Sequence, residues 1–418
     1  MQRWALQATE VDQTEIAVKE KLLGATLAPA RTEWEPRTLS PAASAHLDLI
    51  RTVAAWAVMW GHVRSNFFVD FEHLARKNLL LQGLYFVTGF GHQAVMVFFV
   101  LSGFLISSSV MHSYVSGSWS WREYAINRSS RLYVVLVPGL LLGLLWDKLG
   151  SIASAATGLY SQPLEGFGAA IAQNQITLGA FIGNLFFLQT ILCPTFGSNG
   201  PLWSLANEFW YYALFPVALF AGIAWAKRAV PRALVLSIFT ASLGVFLGWG
   251  KLIGFVIWLT GFGLVVAYSR LQTTSKSWLM PYMVVTSLVV AGCLVAARLG
   301  HPAALGSDLA VGIGFALFLF GVLDMGIAGQ FRSYKRFSHF FAGFSYSLYV
   351  LHFPFVLFLR ACIAPSERWQ PDGRHLLYGA AVGMATLAFA WAVSTFTENK
   401  TSVVRQWMRN ALPHPGGN

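Results

Sequence analysis

Residues 47–66 read LDLIRTVAAWAVMWGHVRSN. The run has the length and apolar content of a membrane helix, yet it carries Arg51 near its start and His62 well inside. Ionisable side chains in hydrocarbon are costly, and those that occur usually face a bundle interior or a watery cavity. Eleven residues separate the two. At about 100° per residue they stand about 20° from three whole turns and about 16 Å apart along the axis. Both therefore project from one face. Taken singly, Arg51 reads as a snorkelling anchor and His62 as a packing histidine; their shared face favours one cavity that reaches both.

The rest of the chain supports a membrane setting. Of 418 residues, 56% are hydrophobic and 11% charged, against about 25% charged in soluble domains. Apolar runs recur near 47–69, 84–110, 132–149, 203–225, 232–249, 251–268, 278–298, 308–328, 340–361 and 376–396. A further run, 178–193, is short enough to be re-entrant or interfacial. The expected fold is all-α: a polytopic membrane protein with about ten transmembrane helices plus one non-spanning segment.

Loop charge orients it. With the N-terminus inside and the spans alternating, most of the 29 Lys and Arg fall on the cytoplasmic side. The exceptions are Arg64, Arg76, Lys77, Lys148, Lys251, Arg298, Arg360, Arg368 and Arg374. The segment 150–202 contains neither Lys nor Arg, as an exported loop should. Counting 178–193 as a span would reverse every later loop, so the expected topology is N-in, C-in. The expected organisation is a cytoplasmic polar tail (1–45), a membrane domain (46–398) whose extracytoplasmic loop is 150–202, and a cytoplasmic tail (399–418).

A net charge of +11 then belongs to loops that lie against anionic lipid. No aromatic–basic nucleic-acid module accompanies it, so the expected partner is the lipid bilayer and not nucleic acid. Cys193, Cys293 and Cys362 are odd in number and far apart, which suits neither a disulfide scaffold nor a metal site.

Other polar residues recur at similar depth. PLWSLANEFWYYALFP (201–216) enters from outside and places Glu208 about two turns in. FSYSLYVLHFPF (344–355) carries His352 past its middle, and His92 precedes VMVFFVLSGFLIS (95–107). His62, Glu208, His352 and His92 are expected to face one outer-half cavity, where Glu208 or His352 would fix the tautomer of His62. In NRSSRLY (127–133), Arg128 and Arg131 are neighbours on a helix face. They read either as anchors or as an anion clamp, since guanidinium forks suit phosphate oxygens. Trp203 and Trp210 read as flat stacking platforms or as members of the interfacial aromatic belt. Gly139/Gly143 and Gly379/Gly383 read as close helix contacts.

Five ordered stretches resemble the acyltransferase-3 family of integral membrane O-acyltransferases: Arg51 and His62 with ten residues between, FFVLSGFLIS, RSSR, WSLANEFWYY and SYSLYVLHFP. They span nearly the whole membrane region. The resemblance implies transfer of an acyl group, usually acetyl, from cytoplasmic acyl-coenzyme A to a hydroxyl of an extracytoplasmic glycan or glycolipid, in a bacterial cytoplasmic membrane. It implies a catalytic His62 and an essential Arg51, with Glu208 and His352 at motif positions. It assigns Arg128, Arg131 and Ser102 to the donor, and it calls for no metal. One departure is FTENKTS (396–402), which keeps Glu398 but lacks the family's proline two residues on, so no role passes to Glu398. Some relatives carry an extra C-terminal hydrolase-like domain, which is not expected here from the short stretch that follows the last span. His62 is expected to act as general base, with an acyl-histidine intermediate as the competing route.

The main rival is a polytopic secondary transporter of an anionic small molecule. That class predicts internal repeats and broken helices with a midplane site, and no convincing repeat is present. Binding of acyl-coenzyme A to the purified protein separates the two.

Overall fold

Ser40 starts the first helix. Its hydroxyl accepts the Ala43 N–H at 3.0 Å, and Pro41 opens the first turn, where a missing N–H costs nothing. The computed structural model describes residues 37–161, 176–271, 276–300, 305–325 and 332–412. The chain runs α1 (Pro41–Phe67), α2 (Leu79–Val87), α3 (Gly91–Val115), α4 (Trp121–Ala153), α5 (Leu178–Leu185), α6 (Leu202–Ala226) and α7 (Val230–Leu247). It continues through α8 (Trp249–Arg270), α9 (Leu279–Leu299), α10 (Leu305–Asp324), α11 (Arg332–Ala342), α12 (Ser345–Ile363), α13 (Gly373–Phe396) and α14 (Thr401–Ala411). Among the described residues only isolated β-bridges accompany the helices.

Nine helices among the described residues are long and apolar enough to cross a membrane. They correspond to nine of the ten expected spans. The tenth is α1, whose 27 residues reach about 40 Å but include Asp48, Arg51, His62 and Arg64. Its position explains how it tolerates them. It lies at the centre of the bundle, packed on α3, α10, α11, α12 and α13, so its polar face meets protein rather than lipid. At the other extreme, α9 buries only Thr286 and Ala297.

The run 178–193 does not span. α5 has eight residues, about 12 Å, and Phe187 and Thr190 at φ 56° and 62° turn the chain back. The turn is pinned by Asn184, which donates to Ala180 and Pro194 carbonyls, and by Gln189, which donates to Leu202 O at 2.9 Å. Three features depart from expectation. The run 84–110 is divided by a break between α2 and α3. α11 and α14 are helices where loop and tail were expected, because their amphipathic sequences lack a long apolar run. α14 docks on the start of α4, with Arg409 2.7 Å from Glu123 and Arg122 donating to the Arg409 carbonyl. Most of the tail before Pro41 lies outside the described residues.

Two interior prolines shape the site. A proline leaves the carbonyl four residues earlier without its helical partner, and at membrane depth that carbonyl must be satisfied otherwise. Pro354 frees Val350 O, which accepts from Asn199 Nδ2 at 2.8 Å. Pro216 frees Tyr212 O, which accepts from the Tyr124 hydroxyl at 2.9 Å. Glycines set the closest crossings. At Gly103 and Gly261 a Cβ would collide with the facing backbone, so α3 and α8 meet main chain to main chain. The expected contacts also form: Gly139 and Gly143 lie under Val350 and Pro354, and Gly379 and Gly383 under Phe68 and Trp60.

Candidate active site

Arg51 and His62 open onto two different cavities. The first, about 130 Å³, is lined by Arg51, Ser102, Arg128, Arg131, Glu208, Tyr212 and Tyr346 among others. The second, about 730 Å³, is lined by Gly61, His62, Arg64, Ser65, Gly89, His92, Thr190, Trp203 and neighbours. Val95 and Tyr349 line both, so the cavities abut across these two side chains. The shared face of α1 is as expected; the single cavity is replaced by two with a thin partition.

His352 is wholly buried behind His62. His62 Nδ1 and His352 Nε2 are 2.7 Å apart, with the rings nearly parallel at 5.0 Å between centroids. The network assigns the protons. His352 Nδ1 faces two carbonyls, Leu348 O at 3.0 Å and Tyr349 O at 2.8 Å. A carbonyl only accepts, so Nδ1 carries the hydrogen and the neutral ring leaves a lone pair on Nε2. His62 Nδ1 must then donate to it, and the basic lone pair of His62 sits on Nε2. His352 thereby fixes the tautomer and ring orientation of His62.

Glu208 does not take that part. It accepts from Ser102 Oγ at 3.0 Å and from the Tyr212 hydroxyl, and it lines the smaller cavity. The reason lies in α6. Trp203 lines the larger cavity, and five further residues rotate the helix by about 140°, which turns Glu208 away from His62. Ser102 also accepts from Trp258 Nε1 at 3.1 Å.

Arg51 is paired with Asp48 at 2.7 Å, and Arg128 donates to Ser109 Oγ at 3.2 Å. With Arg131 they make the smaller cavity cationic at one end. In the larger cavity, His92 meets both Asp308 oxygens at 2.9 and 3.0 Å and stacks near Trp203, 6.4 Å between centroids. Trp210 faces elsewhere: its Nε1 donates to Phe187 O at 2.8 Å, which makes it a packing residue. The sequence reading missed Tyr349, whose hydroxyl is tied to Ser204 at 2.5 Å between the two cavities, and Asp308. An aspartate at the end of an apolar run gives no signal beyond an interfacial charge.

The fold and site define a polytopic membrane protein in which a histidine pair, one ring wholly buried, adjoins the junction of two cavities, one of them rich in arginine. The model of the acyltransferase-3 family, described as an acyltransferase domain, matches residues 44–395. The chain belongs to this family and is an integral membrane acyltransferase. No curated protein and no solved structure matches it.

Proposed function

We propose that the protein moves an acyl group, with acetyl the family's usual group, from acyl-coenzyme A to a hydroxyl of an extracytoplasmic glycan or glycolipid. The observation that carries this reading is the His62–His352 pair beside the partition between an arginine-lined cavity and a larger one. The donor's phosphates meet Arg128 and Arg131, with Arg51 beside them, in keeping with the strength of guanidinium–phosphate contacts. A cavity of about 130 Å³ suits the acyl thioester end of the donor and not its nucleotide, which stays at the mouth. The acceptor enters the larger cavity, where Trp203 offers a face for a sugar.

His62 Nε2 takes the proton of the acceptor hydroxyl as that oxygen attacks the thioester carbonyl. The carbon–sulfur bond then breaks, and the protonated His62 returns the proton to the leaving thiolate. Throughout, His62 Nδ1 donates to His352, which keeps Nε2 aimed at the reaction. Glu208, Ser102 and Tyr212 shape the donor side. The orientation this requires is N-in and C-in, which the distribution of Lys and Arg supports.

The test compares, by mass, the surface glycans of cells with and without the gene, alongside acyl-coenzyme A binding to the purified protein. Loss of one acyl mass together with donor binding supports the reading. Unchanged glycans with no donor binding would overturn it and favour transport.

A further inference from the structure

Resting on that reading, we infer that the acceptor is anionic, with a carboxylate or phosphate held by Arg64 at the mouth of the His62 cavity. Arg64 lies two residues beyond His62 on α1, partly buried, and lines the cavity. Its Cζ stands 5.0 Å over the Tyr85 ring, which holds the guanidinium in place, and Tyr85 is itself tied by its hydroxyl to Val69 O at 2.7 Å. Its Nε is buried without a hydrogen-bond partner. Arg298 reaches the same rim from α9: its guanidinium carbon is 2.9 Å from where a Cβ on Gly89 would sit, and Gly89 lines the cavity. A side chain at Gly89 would displace it.

The charges nearby cancel only in part. Asp70 is engaged with Arg368 at 2.9 Å, and Asp308 with His92 at 2.9 Å. Among the described residues no carboxylate forms an ion pair with Arg64 or Arg298, although the two arginines lie within each other's electrostatic reach, and Arg368 and its partner Asp70 lie within that of Arg64. Three arginines thus converge against the positive-inside bias, on the side where the charge count leaves few cations. Two unpaired guanidiniums on one rim repel each other unless an anion sits between them, and their fork geometry suits carboxylate and phosphate oxygens. A neutral sugar would leave them uncompensated.

Cells lacking the gene supply the unacylated glycan, which serves with acetyl-coenzyme A as substrate for purified protein in nanodiscs of zwitterionic lipid, with and without phosphatidylglycerol. The acylated unit, located by mass, should carry or adjoin a carboxylate or phosphate. Arg64→Gln should lower acceptor kcat/KM by roughly tenfold or more in both lipids, Arg64→Lys should recover part, and acyl-coenzyme A affinity should hold. An acyl group on a glycan without ionised groups overturns the inference, as does wild-type transfer by Arg64→Gln. A deficit confined to nanodiscs containing phosphatidylglycerol also overturns it and assigns the arginines to lipid headgroups. If wild-type protein transfers nothing to the glycan, the proposed acyl transfer itself fails, a result distinct from these.

Discussion

His62 Nδ1 stands 2.7 Å from His352 Nε2, and the other nitrogen of His352 is held by Leu348 and Tyr349 carbonyls. A neutral imidazole fixed this way can do for His62 what a carboxylate does in other acid–base pairs, without placing a second charge in the bundle. Replacing His352 with Leu should lower kcat by roughly 10- to 100-fold and leave the donor KM unchanged. Gln retains an oxygen able to accept from His62 Nδ1, so His352→Gln should recover part of the rate. Equal loss in both variants would reduce His352 to packing.

His62 itself should be indispensable. His62→Ala is expected to lower transfer by about 10² to 10⁴-fold while the protein still inserts and elutes as wild type on gel filtration. Normal acylation by this variant would remove His62 from the mechanism. Acylated protein trapped after donor alone would instead favour the acyl-histidine route.

The arginine pair should act on the donor alone. Arg128→Ala with Arg131→Ala removes two charged hydrogen-bonding groups, each contributing about 1.5–3 kcal/mol when bonded to a charged partner. Acyl-coenzyme A affinity, read by calorimetry, should fall by at least about tenfold, with a weakened salt dependence. An unchanged affinity would return both residues to membrane anchoring.

Glu208 should separate the two cavities functionally. Because it faces Ser102 and Tyr212, Glu208→Leu should raise the donor KM and leave the acceptor KM in place. The converse pattern would put it back beside His62, where the sequence first placed it.

That misplacement marks the limit of what the sequence shows. Depth in the membrane follows from counting residues along a span, and it drew attention to His62, His352 and Arg51. The rotation of one helix about another does not. Whether Glu208 or His352 meets His62 depends on how α6 and α12 turn against α1, and contacts such as Gly139 under Val350 and Ser204 with Tyr349 set those angles. The helical face of Arg51 and His62 was legible because both lie on one helix, with no second rotation to know. α11 and α14 escaped notice for another reason: their apolar residues form a stripe, and a reading that searches for continuous apolar runs passes over stripes.

The support beneath His352 offers the last test. Pro354 cannot donate to Val350 O, and Asn199 donates in its place at 2.8 Å. Asn199→Ala should leave a buried carbonyl unpaired, at a cost of about 1–3 kcal/mol, read as a lower midpoint of thermal unfolding in detergent. Pro354→Ala restores an N–H that can serve the same carbonyl. In that background Asn199→Ala should cost far less, so the two substitutions should be strongly non-additive. Additive effects would mean that Asn199 stabilises the protein by some other contact and that the proline-freed carbonyl is satisfied elsewhere.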